Sequence, residues 1–577
     1  MALSLKQLNE SSIEQFYRLL EGLYGSAHWV LERAISRRPF ATIAALKFAL
    51  ADVVRQADEA QQLALIQSQM SIGSDPLVVA RCNSSELRDI EQLANDYITR
   101  FGFPFVLALA GPRGTGLSPA ELVQTIERRL NNPRDFERAE ALRSIHRQAE
   151  LQINQRLNFE PVLGDLVWDW CEDLAVHSEP GYAERGQLTV TYLTDAHRAC
   201  ALQIARLMRE QCGFDVVDID AVGNVIGIYH GAKPDAKRLL TGSHYDTVRN
   251  GGKYDGRLGI FVPMVCVREL SRQGKRLPFG IEVVAFAEEE GQRYKAVFLG
   301  SGALTGQFDT SWLDQVDADG VSMREAMRHA GLPIDGIGKL KRNPSDYLGF
   351  VEVHIEQGPV LNELDLPLGV VTSINGSVRY LGEVRGMASH AGTTPMGMRR
   401  DAVAAVAELA LFLEKRAASV NDLVGTMGVL EVPNGSVNVV PGRCRFSLDI
   451  RATTDEVRDA CVADVKAELE QICQRRGLRF ELEEIMRAAA APSSAQWQQR
   501  WEAAVRALGL PVFRMPSGAG HDAMKLHDIM PQAMLFVRGL NSGISHNPLE
   551  MTTSDDAELC VQAFSHLLVQ LAAGQTH

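Results

Sequence analysis

From Ser4 to about Leu157, apolar residues recur every three or four positions, as in IEQFYRLLEGLY, FATIAALKFALADVVRQA, SSELRDIEQLANDYITRF and PAELVQTIERRL. That spacing lines one face of an α-helix, so the region reads as all-α. Ser12 before Ile13 and Ser118 before Pro119 predict two helix starts. The hydroxyl can accept from an unpaired N–H, and proline is tolerated at the first helical position. After Phe159 the period shortens. Runs such as RLLTGSHYDTV, IEVVAFAEEEG and GFVEVHIEQG are separated by helical stretches such as GIFVPMVCVRELSRQ, the βαβ rhythm of a mostly parallel sheet. Between about Ser373 and Ala490, strand-like VRYLGEVRGM and GRCRFSLDIRA flank the helical patterns RRDAVAAVAELALFLEKRA and TDEVRDACVADVKAELEQICQ, which predicts a small inserted α+β lobe. The α/β pattern resumes near Pro492. The expected organisation is an all-α domain over 1–160, an α/β domain over 161–374 and 491–577, and the α+β lobe over 375–490. The first join, near Asn158–Gly164, is marked only by a proline and a glycine.

Composition narrows the class of protein. The chain has 577 residues, 46% hydrophobic and 23% charged, as a folded chain with a large core requires. At roughly 100–200 residues per domain it should form about three to five domains or lobes. A formal charge of −13 with no basic block gives a nucleic-acid backbone nothing to bind. No stretch of about 18 apolar residues runs without charge, so a membrane is not an expected partner. The start, MALSLKQLNESSIEQF, lacks a basic segment followed by an apolar one. Nine Cys with no C-x-x-C pair read as reduced thiols, and the expected compartment is the cytoplasm.

Three strand-like runs end in a possible metal ligand: His244 after LLTGS, Glu289 and Glu290 after VVAFAE, and His354 after FVEV. Parallel strands would present these side chains together at one edge of the sheet. Asp255, in the turn-rich NGGKYDG, and His546, in GISHNP, complete a mixed imidazole and carboxylate set that suits a pair of divalent ions. Adjacent Glu289 and Glu290 point apart on an extended segment, so one can bind metal while the other takes a proton from the attacking water. Taken singly, each of these residues is more often a hydrogen-bonded structural one, and EEE alone is usually a solvated charge run. GPRGTG at 111–116 lacks both the G-K-[ST] ending and the G-x-G-x-x-G spacing, so it reads as a loop between helices. No G-x-S-x-G elbow or H-E-x-x-H helix occurs.

The motifs TGSHYDTVRNGGKYDGRLG, VVAFAEEEGQRY, VHIEQGP, SHAGTTPM, VNVVPG, DIR, SGAGHDAM and ISHNP follow one another in this order over about Gln187 to Ala572. In order and rough separation they resemble the dinuclear-metal amidohydrolases that include allantoate amidohydrolase, N-carbamoyl-L-amino-acid hydrolase and β-ureidopropionase. The resemblance implies one ion held by His244, Asp255 and His354 and another by Asp255, Glu290 and His546, with Asp255 bridging. The ions would be zinc or manganese. It further implies Glu289 as general base, the inserted lobe as lid and dimerisation domain, and His390 as an oxyanion-stabilising residue contributed to a partner subunit. Gln357, Asn438 and Arg451 would hold the carboxylate and ureido groups of a small anionic substrate. Backbone N–H groups at Gly518 and Ala519 would approach the same carboxylate.

LNESSIEQFYRLLEGLYGSAHWVLERAISRRPFATIAALKFAL and YITRFGFPFVLALAG are similar to 2-oxo-4-hydroxy-4-carboxy-5-ureidoimidazoline decarboxylase over about Leu5 to Leu157. That family's His-Pro-Asp-Leu motif should follow LALI, but here Gln67, Ser68, Gln69 and Met70 stand there, with Gln69 in the histidine's place. Glutamine cannot exchange a proton near neutral pH. The segment that should carry the catalytic Glu is shortened between Ser71 and Ser84, and Gln152 aligns with a family Arg. The expectation is a retained fold without decarboxylase activity. The hydrolase is expected to convert allantoate to ureidoglycine, ammonia and carbon dioxide. The competing readings are an N-carbamoyl-L-amino-acid or β-ureidopropionate hydrolase, a bifunctional enzyme in which Glu91 or another neighbour restores decarboxylation, and a catalytically silent scaffold.

Overall fold

The computed structural model describes residues 3–109 and 118–574; GPRGTG lies outside the described residues. The chain divides into two compact units, fewer than its length suggests. The first comprises Met1–Val370, Ala495–Phe513 and Ile529–His577; the second comprises Val371–Ser494 and Arg514–Asp528.

Within the first unit the N-terminal segment is helical, and its helices begin where side-chain caps are available. Ser12 and Ser118 each accept from the N–H three residues on, and the side chains of Gln15 and Glu121 return the bond. Helix α1 (Ile43–Arg55) is capped by Thr42. Helix α2 (Arg134–Leu157) ends at Asn158, whose left-handed φ of 48° stops it. The segment has its own apolar core, built from Phe16, Leu46, Leu50, Ile90, Tyr97 and Ile145 among others. Buried Arg129 pairs with Glu137 at 2.8 Å and lies over the Phe105 ring, so the RFGFPF stretch packs around a satisfied charge.

The sheet begins later than the change of pattern after Phe159 suggests. The helices Val162–Leu174, Pro180–Ala183 and Asp195–Leu207 precede the first strand. The strands of the first unit are β1 (Val216–Ile219), β2 (Val225–Tyr229), β3 (Arg238–His244), β4 (Gly280–Phe286), β5 (Tyr347–Ile355), β6 (Leu368–Ile374, which runs on into the second unit) and β7 (Gln532–Val537). Their order is β1-β2-β4-β3-β5-β7-β6. The four central strands are mutually parallel, and β1, β2 and β6 pair antiparallel. Every residue of β4 and nearly all of β3 and β5 are buried, as strands covered on both faces should be. Helix α3 (Arg257–Arg272) packs on this sheet, and helix α4 (Ser554–Gly574) packs on α3.

The helical segment meets the rest of the unit through the apolar Ala44 and Phe48 of α1, which pack on the α/β core, and through a set of buried charges. On α2, Arg143 pairs with Asp365 at 2.5 Å, Arg147 with Asp555 at 2.7 Å, and Asn154 donates to Asp555 at 2.7 Å. Lys47 of α1 reaches the same Asp555 at 2.7 Å. Arg143, Arg147 and Asp555 are buried, and removing one member of such a pair typically costs about 3–5 kcal/mol. The join itself is short and tight. A Cβ on Gly164 would stand 1.9 Å from the Ser554 carbonyl oxygen, so only glycine lets this helix approach α4.

The second unit is an antiparallel sheet in which Gly376–Arg385 lies between Arg443–Ala452 and Arg479–Ala488, with the helices Ala402–Ala418 and Asp455–Arg476 packed on it. It also includes Arg514–Asp528, a stretch that the pattern assigned to the α/β domain.

Two buried histidines make the first unit acid-sensitive. Burial lowers both His146, which bonds the Tyr24 hydroxyl, and His197, which bonds the Ala287 carbonyl, to about 4. A base depressed in the folded state stabilises fully above its unfolded value of about 6.5 and loses that contribution as pH falls toward 4, at about 3 kcal/mol per residue. Denaturant midpoints should therefore drop between pH 6.5 and 4, and His146→Gln should flatten part of that drop. An unchanged profile in the variant would refute the assignment.

Candidate metal centre

The centre forms where the parallel strands end. His244 is the last residue of β3, His354 the penultimate residue of β5, and Glu289 and Glu290 follow β4 in a short loop. Asp255 lies in the turn before α3, and His546 in the loop after β7. Ligand atoms lie within 4.8 Å of one another in each of three groups: His244, Asp255 and His354; His244, Glu289 and Glu290; and Asp255, Glu290 and His546.

The hydrogen bonds fix which imidazole nitrogens face inward. His244 Nδ1 lies 3.1 Å from the Asp246 carbonyl oxygen, and His354 Nδ1 lies 2.8 Å from that of Ile355. A carbonyl can only accept, so both Nδ1 atoms carry the proton and both Nε2 atoms offer lone pairs. The Gly256 N–H donates to His354 Nε2 at 3.2 Å, in keeping with that tautomer. The two Nε2 atoms stand 3.5 Å apart and 3.4 and 3.2 Å from Asp255 Oδ1. Three electron-rich atoms thus converge, an arrangement that repels itself until a cation enters. The other oxygen of Asp255, Oδ2, faces His546 Nε2 at 3.2 Å, and Glu290 Oε1 lies 3.3 Å from the same nitrogen. One carboxylate therefore turns an oxygen toward each of two ligand groups.

Without a bound cation, a proton relieves the same repulsion. Burial opposes charge on His244, yet Asp246 and Asp255 push its pKa well up. Asp255 and Glu290 raise His546 to about 10. Burial likewise opposes charge on Asp255, but the three histidines hold its carboxyl well below the usual range. The cluster draws positive charge, so protons and metal compete for the same space. The EEE run is not a solvated patch. Glu288 is buried, and burial, with Asp246 and Glu290 nearby, raises its pKa well above that of a free carboxyl.

Three further residues shape the centre. Asp246 accepts from the N–H groups of Glu289 and Glu290 at 3.1 Å each, and one of its oxygens lies 3.3 Å from His244 Nδ1. The H-x-D spacing of SHYD, which puts both side chains on one face of an extended segment, is the signal that would have found it. Glu550 accepts from the N–H groups of Tyr254 and Asp255 at 2.9 and 3.0 Å and from the Ser545 hydroxyl at 2.6 Å, tying the His546 loop to the Asp255 turn. Burial, with Asp255 close by, pushes Glu550 up to about 7. No periodicity singles it out. Gln357, expected at the substrate, donates to Asp255 Oδ2 at 3.0 Å from a left-handed backbone with φ 57°.

The remaining expected site residues belong to the second unit. His390 is exposed; its Nδ1 accepts from the N–H groups of Gly392 and Thr393 at 3.0 and 3.2 Å, which leaves the proton on Nε2. Asn438 lies in the turn just before the strand Val439–Val440 that pairs with Ser389–His390, and its backbone carbonyl accepts from the Ala391 N–H at 2.9 Å. Arg451 was expected to offer a two-pronged donor, but its Nε and Nη2 are taken by Asp449 at 2.9 and 2.8 Å. Its Nη1 donates to the Gly518 carbonyl at 2.7 Å. Gly518 has open space where a Cβ would lie, and the Ala519 carbonyl accepts from Ser517.

In the helical segment, Gln69 is half-buried and donates to the Leu65 carbonyl at 3.1 Å, Glu91 is exposed, and Gln152 accepts from Arg156 at 3.4 Å.

Residues 240–570 match the model of Peptidase family M20/M25/M40, and residues 9–154 match that of OHCU decarboxylase. An N-carbamoyl-L-amino acid amidohydrolase of Geobacillus stearothermophilus is 38% identical over 414 residues, 72% of this chain and 100% of that protein. An allantoate amidohydrolase of Bacillus subtilis is 37% identical over 355 residues, 61% of this chain and 85% of that protein. Among solved structures, an amidase of the hydantoinase/carbamoylase family from Burkholderia multivorans superposes with a TM-score of 0.66 at 30% identity, covering 71% of this chain and 98% of that one. With its ligand-type residues gathered at the strand ends, the chain belongs to Peptidase family M20/M25/M40 and is an amidohydrolase of linear C–N bonds.

Proposed function

We propose that the chain hydrolyses the ureido C–N bond of allantoate, giving ureidoglycine, ammonia and carbon dioxide, with two divalent ions, zinc or manganese, per subunit. The observation that carries the hydrolytic reading is the Asp255 carboxylate, each of whose oxygens faces a different ligand group. His244 and His354 would complete one ion's protein ligands, and Glu290 and His546 the other's. When bound, the ions supply the electrophilic assistance that makes water a competent nucleophile near neutral pH.

The chain's own groups do the rest. Glu289 takes a proton from the attacking water and returns it to the leaving nitrogen. Asp246 fixes the backbone of Glu289 and Glu290 and holds His244 in its inward-facing tautomer. His390, with its proton on Nε2, donates to the developing oxyanion of a partner subunit's site. Because Asp449 takes Nε and Nη2 of Arg451 and the Gly518 carbonyl takes one Nη1 proton, the substrate carboxylate would meet the second Nη1 proton and the N–H groups of Gly518 and Ala519, while Asn438 and Gln357 take the ureido group. In this reading residues 375–490 form the lid and dimerisation lobe of a homodimer. Nine unpaired cysteines support a cytoplasmic setting, and no described helix is long and apolar enough to cross a membrane.

The substrate choice rests on the fused decarboxylase-like segment, which ties the hydrolase to ureide breakdown. The high similarity to an N-carbamoyl-L-amino acid amidohydrolase favours a second reading, cleavage of N-carbamoyl amino acids. Side-by-side assays should give kcat/KM at least tenfold higher on allantoate than on N-carbamoyl amino acids or β-ureidopropionate; the reverse order overturns the substrate assignment. Asp246→Asn places an amide against two backbone N–H groups and weakens His244 as a ligand. Titration of metal-stripped protein should then show divalent affinity reduced about 10–100-fold. The helical segment, lacking a proton-exchanging side chain at Gln69, should not accelerate loss of freshly generated ureidoimidazoline substrate above its spontaneous decay. Faster decay with the full chain would restore the bifunctional reading.

A further inference from the structure

The loops that carry Gln357 and His546 are held from the helical side. Past β5 the chain closes into a tight knot: the Glu356 carboxylate accepts from the N–H groups of Val360 and Leu361 at 2.8 and 2.9 Å, and left-handed residues stand at both ends, Gln357 and Asp365. Helix α2 grips this knot twice, with Glu140 accepting from the Asn362 amide and Arg143 pairing with Asp365. Asp365 in turn binds Arg538 at 2.6 Å, and Arg538 binds Asp556 through two nitrogens at 3.0 and 2.8 Å. Arg538 directly follows β7 and opens the loop that carries His546. That loop also leans on the knot, since a Cβ on Gly543 would stand 1.6 Å from the Gly358 carbonyl oxygen. Glu140, Arg143, Arg147 and Asn154 fall at helical spacing on one stripe of α2, so a single rigid face makes all these contacts.

We propose that the helical segment is a brace for the metal centre: through Glu140 and Arg143 it positions the Gln357 and His546 loops, a task that needs its fold and not the chemistry of its relatives. Arg143 and Glu140 are positioning residues acting through Asp365 and Asn362. The proposal rests on the metal-centre reading. It differs from mere attachment, because the Asp555 contacts of Lys47 and Arg147 end at the start of α4 and touch neither loop.

The test uses the full-length chain, stripped of metal and titrated with Mn²⁺ by calorimetry, alongside hydrogen exchange. Arg143→Met should weaken Mn²⁺ binding tenfold or more and speed exchange in peptides covering 356–366 and 539–550. Lys47→Met should lower the melting temperature and leave Mn²⁺ affinity within twofold. If Arg143→Met does not fold, Glu140→Ala, which removes one hydrogen bond from the same knot, is read in the same way. Variants that melt earlier yet keep wild-type Mn²⁺ affinity and loop exchange would overturn the brace and leave simple attachment. Wild-type protein that takes up no Mn²⁺ would overturn the metal-centre reading and the brace together, an outcome distinct from the first.

Discussion

The structure depends on a concentration of negative charge and imidazole lone pairs at the carboxyl ends of four parallel strands. Asp255, Asp246 and Glu288 are buried, and Glu290 is half-buried beside them. Such a group of acids is tenable only where positive charge or donated hydrogen bonds answer it. Backbone N–H groups answer Asp246, three histidines answer Asp255, and the Tyr254 and Asp255 N–H groups answer Glu550. The sheet supplies the rigidity: its central strands are fully covered, so the histidines at their ends cannot drift apart to relieve the repulsion. The same strain that burdens the fold prepares it for cations.

Much of this centre was legible in the sequence because it sits at strand termini. The apolar runs LLTGS and VVAFA fix where the strands end, and the histidine and glutamates that follow must emerge at one edge once the strands are parallel. Asp246 was within reach through its two-residue spacing from His244. Glu550 and the location of Gln357 were not, since both act through backbone contacts between loops distant in sequence. Arg451 illustrates a different limit: residue type suggests a fork for a ligand, while the fold places Asp449, two residues earlier on the same strand, in that fork.

The helical segment was legible as a fold and largely opaque as an interface. Its capped helices and apolar stripes appear in the pattern of residues. Along α2, however, Glu140, Arg143, Arg147 and Asn154 read as an ordinary solvated face, the usual fate of such residues in a helix. Burial of that face against Asp365, Asn362 and Asp555 depends on tertiary pairing that periodicity cannot express. The late start of the sheet has a similar origin: helices Val162–Leu174 and Asp195–Leu207 pack on the core of the α/β layer while the pattern around them already looks mixed.

The charges at the seam between the two segments also bear on what each segment would show to water if the two were parted. An apolar seam would leave each half, when separate, with a sticky patch prone to aggregation. Here arginines, a lysine and carboxylates surround the apolar Ala44 and Phe48, so the patch bared by separation is mixed in character. Water would take up the charged groups of that patch, and the apolar residues between them would be left as small islands.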